Sequence, residues 1–161
     1  MKTIKLIGIL ILNFLIFSCA PLKPAMIIKN SSTENYKYIY ISPTNSLTSS
    51  AGATYGGQYY STSKSVNPTD VITGILSKEG FIRLPELKSE LTNETLIVNY
   101  GESGRRNRGL GYTIEVTIQL VSAKTNELIS SCSAEGQGET EADDIRQAIT
   151  RCLSALISKE N

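Results

Sequence analysis

Hydrophobic and polar positions alternate with period two over several stretches and with helical period over two others. In "NYKYIYISPT", residues 35–44, Tyr36, Tyr38 and Tyr40 alternate with Lys37, Ile39 and Ile41 until Pro43 interrupts the pattern, which predicts a strand with Ile39 and Ile41 inward. "VNPTDVITGILSKEGF" is punctuated as a helix. Asn67 can cap it, Pro68 suits the first turn, Asp70 complements the positive end of the dipole and Gly80 suits the left-handed exit. Val71, Ile72, Ile75 and Leu76 form its apolar stripe. "FIRL" is a short strand stopped by Pro85, and "ETLIVNYGE" and "GYTIEVTIQLVSA" are two strands flanking an expected loop, "SGRRNRGL". On the second, Ile114, Val116, Ile118 and Leu120 face one way and Thr113, Glu115, Thr117 and Gln119 the other, the pattern of a sheet wet on one side. After the turn "KTNEL", the strand "LISSCSAEGQG" puts Leu128, Ser130, Cys132 and Ala134 on one face. A last helix from Thr140, with Asp143 in capping-box-like spacing, presents Ile145, Ala148, Ile149, Cys152, Leu153 and Leu156 together.

These elements predict an α+β fold: a mixed, mainly antiparallel sheet of about four to five strands with two helices packed on one face. One stretch resists assignment. "SLTSSAGATYGGQYYSTSKS", within an insertion at 44–66, is rich in Ser, Gly, Thr and Tyr and shows neither period, so it reads as an irregular insertion. Its Tyr55, Tyr59 and Tyr60 suit contact with a partner, since tyrosine combines an apolar ring with a polar tip. An exposed variable loop is the plainer alternative.

The N-terminal pattern is of another kind. Lys2 and Lys5 precede an apolar run from Leu6 to Phe17, too short for the roughly 20 residues of a spanning helix, and Ser18 then precedes Cys19. "IFSC" resembles a lipobox. That resemblance implies a signal peptide at 1–18 and a mature chain beginning at a diacylglycerol-modified Cys19, held in the membrane by two or three acyl chains. Pro21, Pro24 and the polar "KNSSTEN" make 19–35 read as a tether to a single domain at 36–161. Ala20 is not the aspartate that, by resemblance to enterobacterial lipoproteins, retains a chain at the inner membrane. The expected location is therefore the outer membrane, facing the periplasm.

Composition then narrows the chemistry. The chain is 40% hydrophobic and 19% charged with a net charge of +1, so no overall field points to nucleic acid. It contains no histidine, which removes Ser-His-Asp and Cys-His nucleophile pairs and histidine-bound zinc. Carboxylate, Lys, Tyr or Arg chemistry remains open. No cofactor, metal or catalytic residue is expected. In an exported chain Cys132 and Cys152 are a natural disulfide pair, because the strand face and the helix stripe that carry them should meet in the core; two separately buried thiols are the alternative.

Arg105, Arg106 and Arg108, set among glycines, form a candidate anion-binding loop for a lipid headgroup, a peptidoglycan carboxylate or an acidic partner, against a plain hairpin loop with solvated charge. Glu139, Glu141, Asp143 and Asp144 are explained by the helix start they occupy.

From residue 67 to 156, the series "LIVNYGE", "YTIEVTIQLVSAKTNELI", a small-residue strand and a closing helix is similar to lipoproteins allied to the curli-secretion component and the penicillin-binding-protein activators. Ser122 stands where that group usually has aspartate, and Asn126 where it usually has glycine. The resemblance implies a small bacterial lipoprotein that binds or assembles rather than catalyses. Its expected partners are the membrane, through Cys19, and an envelope protein or peptidoglycan. Two alternatives stay open: a small envelope hydrolase using carboxylate or Tyr/Lys chemistry, and a structural lipoprotein that associates with itself.

Overall fold

The computed structural model describes residues 21–108 and 111–157. Expectations for the signal peptide and for Cys19 lie outside the described residues.

Among the described residues, eight strands and two α-helices make an α+β fold. In chain order they are β1 (Met26–Lys29), β2 (Tyr38–Ile41), β3 (Leu47–Tyr55), β4 (Gln58–Val66), α1 (Pro68–Lys78), β5 (Ile82–Arg83), β6 (Thr95–Arg108), β7 (Gly111–Ser122), β8 (Leu128–Gly136) and α2 (Glu141–Ile157), with a short 3-10 helix at Ser89–Glu94 before β6. Six strands form the main sheet in the order β1-β8-β7-β6-β2-β5, against the four to five expected. The pairings β2–β5 and β2–β6 are parallel and the rest antiparallel.

The additional strand is β1, inside the segment expected to be a tether. "MIIK" pairs with β8 from Met26 opposite Ser133 to Lys29 opposite Ser130. Four residues behind Pro24 are too few to display a period, and all four are exposed on an edge, so no burial pattern marks them.

Helix α1 starts as its punctuation requires: the Asn67 side chain accepts from the Thr69 N–H at 3.0 Å, and Gly80 leaves with φ 95°. At α2, the Asp143 N–H donates to Thr140 Oγ1 at 3.3 Å, and the Thr140 hydroxyl donates to Asp143 Oδ2 at 3.0 Å. In the β7–β8 turn Asn126 adopts φ 59°, a left-handed conformation that asparagine tolerates better than most residues.

The core lies between the helices and one sheet face. Ile39, Leu96, Val98, Ile114, Val116 and Ile118 from the sheet meet Ile72, Leu76, Ile145, Ile149 and Leu153 from the helices, all at or below 1% exposure. Two features clamp α2 to β8. Cys132 and Cys152 are joined by a disulfide with Cα atoms 5.6 Å apart, as their strand register and helix stripe predict. At Gly136 a Cβ would lie 1.8 Å from the Asp144 carbonyl oxygen and 2.7 Å from the Ala148 nitrogen, so only glycine lets the helix lie this close.

Candidate functional site

Two hairpins flank the start of α2. The first is β3–β4, a two-stranded sheet of its own where an irregular insertion was expected. The strands pair without a shift from Leu47 opposite Val66 to Tyr55 opposite Gln58, and Gly56 and Gly57, at φ 59° and 80°, make the two-residue turn. That turn requires positive φ at both positions, which glycine meets without strain. Alternation is missing from the sequence because most of the hairpin is exposed on both faces. The Gly-Gly pair was the one local signal.

Only the base of this arm is held down. Val66 is buried and Leu47 packs against the core. Ser49 Oγ accepts the Ala142 N–H at 2.8 Å, Arg146 donates to the Ser65 carbonyl at 3.1 Å, and Lys64 Nζ reaches Asp143 at 2.9 Å and Glu139 at 3.3 Å. Those two carboxylates raise the Lys64 pKa, and Lys64 in turn lowers that of Asp143.

Beyond Ala51 the arm stands free. Tyr55, Tyr59 and Tyr60 are 83%, 70% and 61% exposed. Cross-strand register puts Tyr55 and Tyr60 on the face that carries Ser49, Lys64 and Val66, so the surface that docks on α2 continues outward as tyrosine. Tyr59 occupies the opposite face. Its ring lies so close over Gly52 that a Cβ there would sit 2.2 Å from the phenol oxygen.

The second hairpin is β6–β7. Residues 103–108, expected in a loop, continue β6 past a register shift between Glu102 and Gly104. The three arginines therefore divide between the two faces instead of meeting at one tip. Arg105 lies on the helix side, where it pairs with Glu141 and stacks over Tyr112 at 5.2 Å from the ring centre. Arg106, on the opposite side, reaches past β7 to Glu135, and Arg108 donates to Gln137. Thr113, expected on the wet face, stands opposite Arg106 and is fully buried.

Glu135 is 2% exposed. The guanidinium of Arg106, aided by the Lys23 N–H at 3.1 Å, holds its carboxyl down to about 2 despite burial. Sequence reasoning passed over Glu135 and Lys64 as contributors to this end of the molecule, and gave Glu141 only a role at the helix start. Two carried a faint signal: Lys64 is the one charge between residues 47 and 66, and Glu135 the one charge in β8.

The acidic start of α2 is thus a junction, with Lys64 of the arm on one side and Arg105 of the second hairpin on the other. Among the described residues no group of three or more His, Cys, Asp or Glu side chains could hold a metal, and no helix is long and apolar enough to cross a membrane.

No protein-family model matches the chain, and no curated protein matches it. Among solved structures it is similar to the PelC dodecamer from Paraburkholderia phytofirmans in two crystal forms. For the C2 form, a point variant, the likeness is 13% identity and a TM-score of 0.49, over 86% of this chain and 100% of that one. For the P6 form it is 13% identity and a TM-score of 0.47, over 84% of this chain and 98% of that one.

Proposed function

We infer that this chain is a lipid-anchored, non-enzymatic binding or assembly module of the bacterial envelope, attached through Cys19 to the outer membrane, and that its contact surface is the free tip of the β3–β4 arm. One observation carries the reading. Residues 47–63 hold no charged side chain, yet they form an exposed hairpin whose edges pair with no other strand among the described residues, with three tyrosines in solvent. An isolated two-stranded hairpin is marginal in water, and exposed edges are normally blunted with lysine, proline or a bulge. This arm has none of those devices between Leu47 and Ser63, which suits an edge meant to be paired. Addition of a strand to such an edge gives affinity through main-chain hydrogen bonds, and the tyrosines give selectivity.

The test is a photo-crosslinking amino acid in place of Tyr60, irradiated in intact envelopes. A discrete adduct that vanishes when Tyr55 and Tyr59 are changed to serine is expected. An adduct of twice the chain mass makes the partner a second copy, and a heavier or lighter one makes it another envelope protein. Absence of any discrete adduct would overturn the reading. The anchor is tested separately: Cys19→Ala should yield an uncleaved or a soluble form, and mature protein with unchanged membrane partitioning would overturn it.

A further inference from the structure

The chain ahead of β1 is fixed to the domain much nearer Cys19 than a tether over 19–35 would allow. The Lys23 N–H donates to Glu135 at 3.1 Å, the Lys23 carbonyl accepts from Arg151 at 2.7 Å, and Ala25 packs against the core. Lys23 lies four residues after Cys19, a reach of about 14 Å at full extension. If Cys19 carries the acyl chains, the start of β1 is therefore held close to the bilayer. What β1 presents there is apolar. Met26, Ile27 and Ile28 are 66%, 41% and 57% exposed, on a strand that pairs only with β8 among the described residues. Register sets Met26 beside Ser133 and Ile28 beside Ser131, so serines flank them across the ladder. Single exposed apolar residues are ordinary, but three in succession on a free edge are a liability that soluble domains blunt with charge or proline. Charge is not what this patch offers: Lys23 lies 3.7 Å from Glu135, and Lys29 shares a cleft wall with Glu34.

We propose that β1 is a second, protein-borne membrane contact: Met26, Ile27 and Ile28 lie in the interfacial layer of the bilayer to which Cys19 is anchored, and set the sheet edge-on to it. The inference rests on the anchor of the proposed function and adds an orientation to it. A lipid leash limits distance alone, whereas side chains inserted beside it also fix which edge of the domain faces the membrane. The free backbone edge of β1 limits the depth. Its outward N–H and C=O groups need water or headgroup oxygens, so the strand lies among headgroups and only its side chains reach acyl carbon. The opposite edge strand, β5, then stands five strand spacings from the membrane edge, about 24 Å.

The experiment uses the full chain in its own membranes, supplied with a phosphatidylethanolamine probe that carries a diazirine high on one acyl chain. After irradiation, tandem mass spectrometry localises two masses, the acyl groups on Cys19 and the probe along the chain. Acyl mass at Cys19 together with probe on Met26, Ile27 and Ile28 is expected, with Ile82 of β5, also apolar and 47% exposed, left unlabelled. Met26→Ser together with Ile28→Ser should lower the probe yield at Ile27 by about tenfold, because the apolar surface that holds the strand in lipid is gone. The acyl mass should persist, and the double variant should melt with the parent, since both residues are already exposed. Acyl mass without probe on β1, an equal yield at Ile82, or an unchanged yield in the double variant would overturn the proposal and leave the anchor standing. Absence of acyl mass would overturn the anchor, and this contact with it.

Discussion

Arg106 holds Glu135 through two bonds, Nε to Oε1 at 2.7 Å and Nη2 to Oε2 at 2.5 Å, across a strand to which neither residue belongs. The pair joins β6 to β8 over β7, and the N-terminal segment closes it from above through the Lys23 N–H.

This pair sets an acid limit on stability. An unfolded glutamate titrates at about 4.3, whereas the folded carboxyl is held down to about 2. The contribution is therefore complete above about pH 4.5 and is lost as the pH falls from there towards 2. Glu135→Gln should lower stability near neutral pH by about 2 kcal/mol and flatten the acid limb of the melting curve. Equal slopes for both proteins between pH 5 and 2 would show that the pair is not the titrating element.

The disulfide should be visible by chemistry alone. Unreduced protein, unfolded and alkylated, should take no label at Cys132 or Cys152. Replacing both by alanine reopens a loop of 20 residues, for which chain entropy predicts a loss of about 3 kcal/mol in urea unfolding. Both cysteines are at or below 1% exposure, so a mild reductant should act on the native protein only as fast as the fold opens.

Gly136→Ala should be among the most damaging single changes. The added methyl would meet backbone of α2, which cannot rotate aside as a side chain can, so the helix must lift from β8. An overpacking cost of about 3 kcal/mol is expected. Gly101→Ala is the control: nothing lies within 4 Å of a Cβ there, and its melting temperature should stay near that of the parent.

Gly57→Val should separate folding from contact. At φ 80° a β-branched residue is strained, so the tip of the arm loses its turn while the base stays pinned to α2 by Lys64 and Ser49. The expected outcome is a melting temperature within a few degrees of the parent and loss of the adduct formed through position 60. An intact adduct would mean that the tip geometry is immaterial to the contact.

What the sequence displayed and what it hid divide along one physical line: a segment is legible where one face is buried. Helix α2 and strand β7 bury one face each, and their periods place Cys152 and Ile118 correctly. The β3–β4 arm and β1 are mostly exposed, leaving only Gly56–Gly57 as a cue in the arm and nothing in "MIIK". The arginines misled for a related reason. Glycine-rich, charged residues resemble a loop tip, yet Gly104 lies in strand just past a register shift. The partners of Arg105 and Arg106 lie 36 and 29 residues away in the chain, on elements whose neighbours only the folded sheet determines.

The edge position of β1 gives the molecule a mechanical character. Tension applied from the N-terminal side arrives first at Lys23, whose carbonyl accepts from Arg151 of α2 at 2.7 Å and whose N–H donates to Glu135 of β8. Four ladder positions of β1, antiparallel to β8, follow immediately behind. The helix and the strand that take this strain are the two elements joined by Cys132 and Cys152. Force entering at the edge is passed through these contacts into the covalently tied half of the domain.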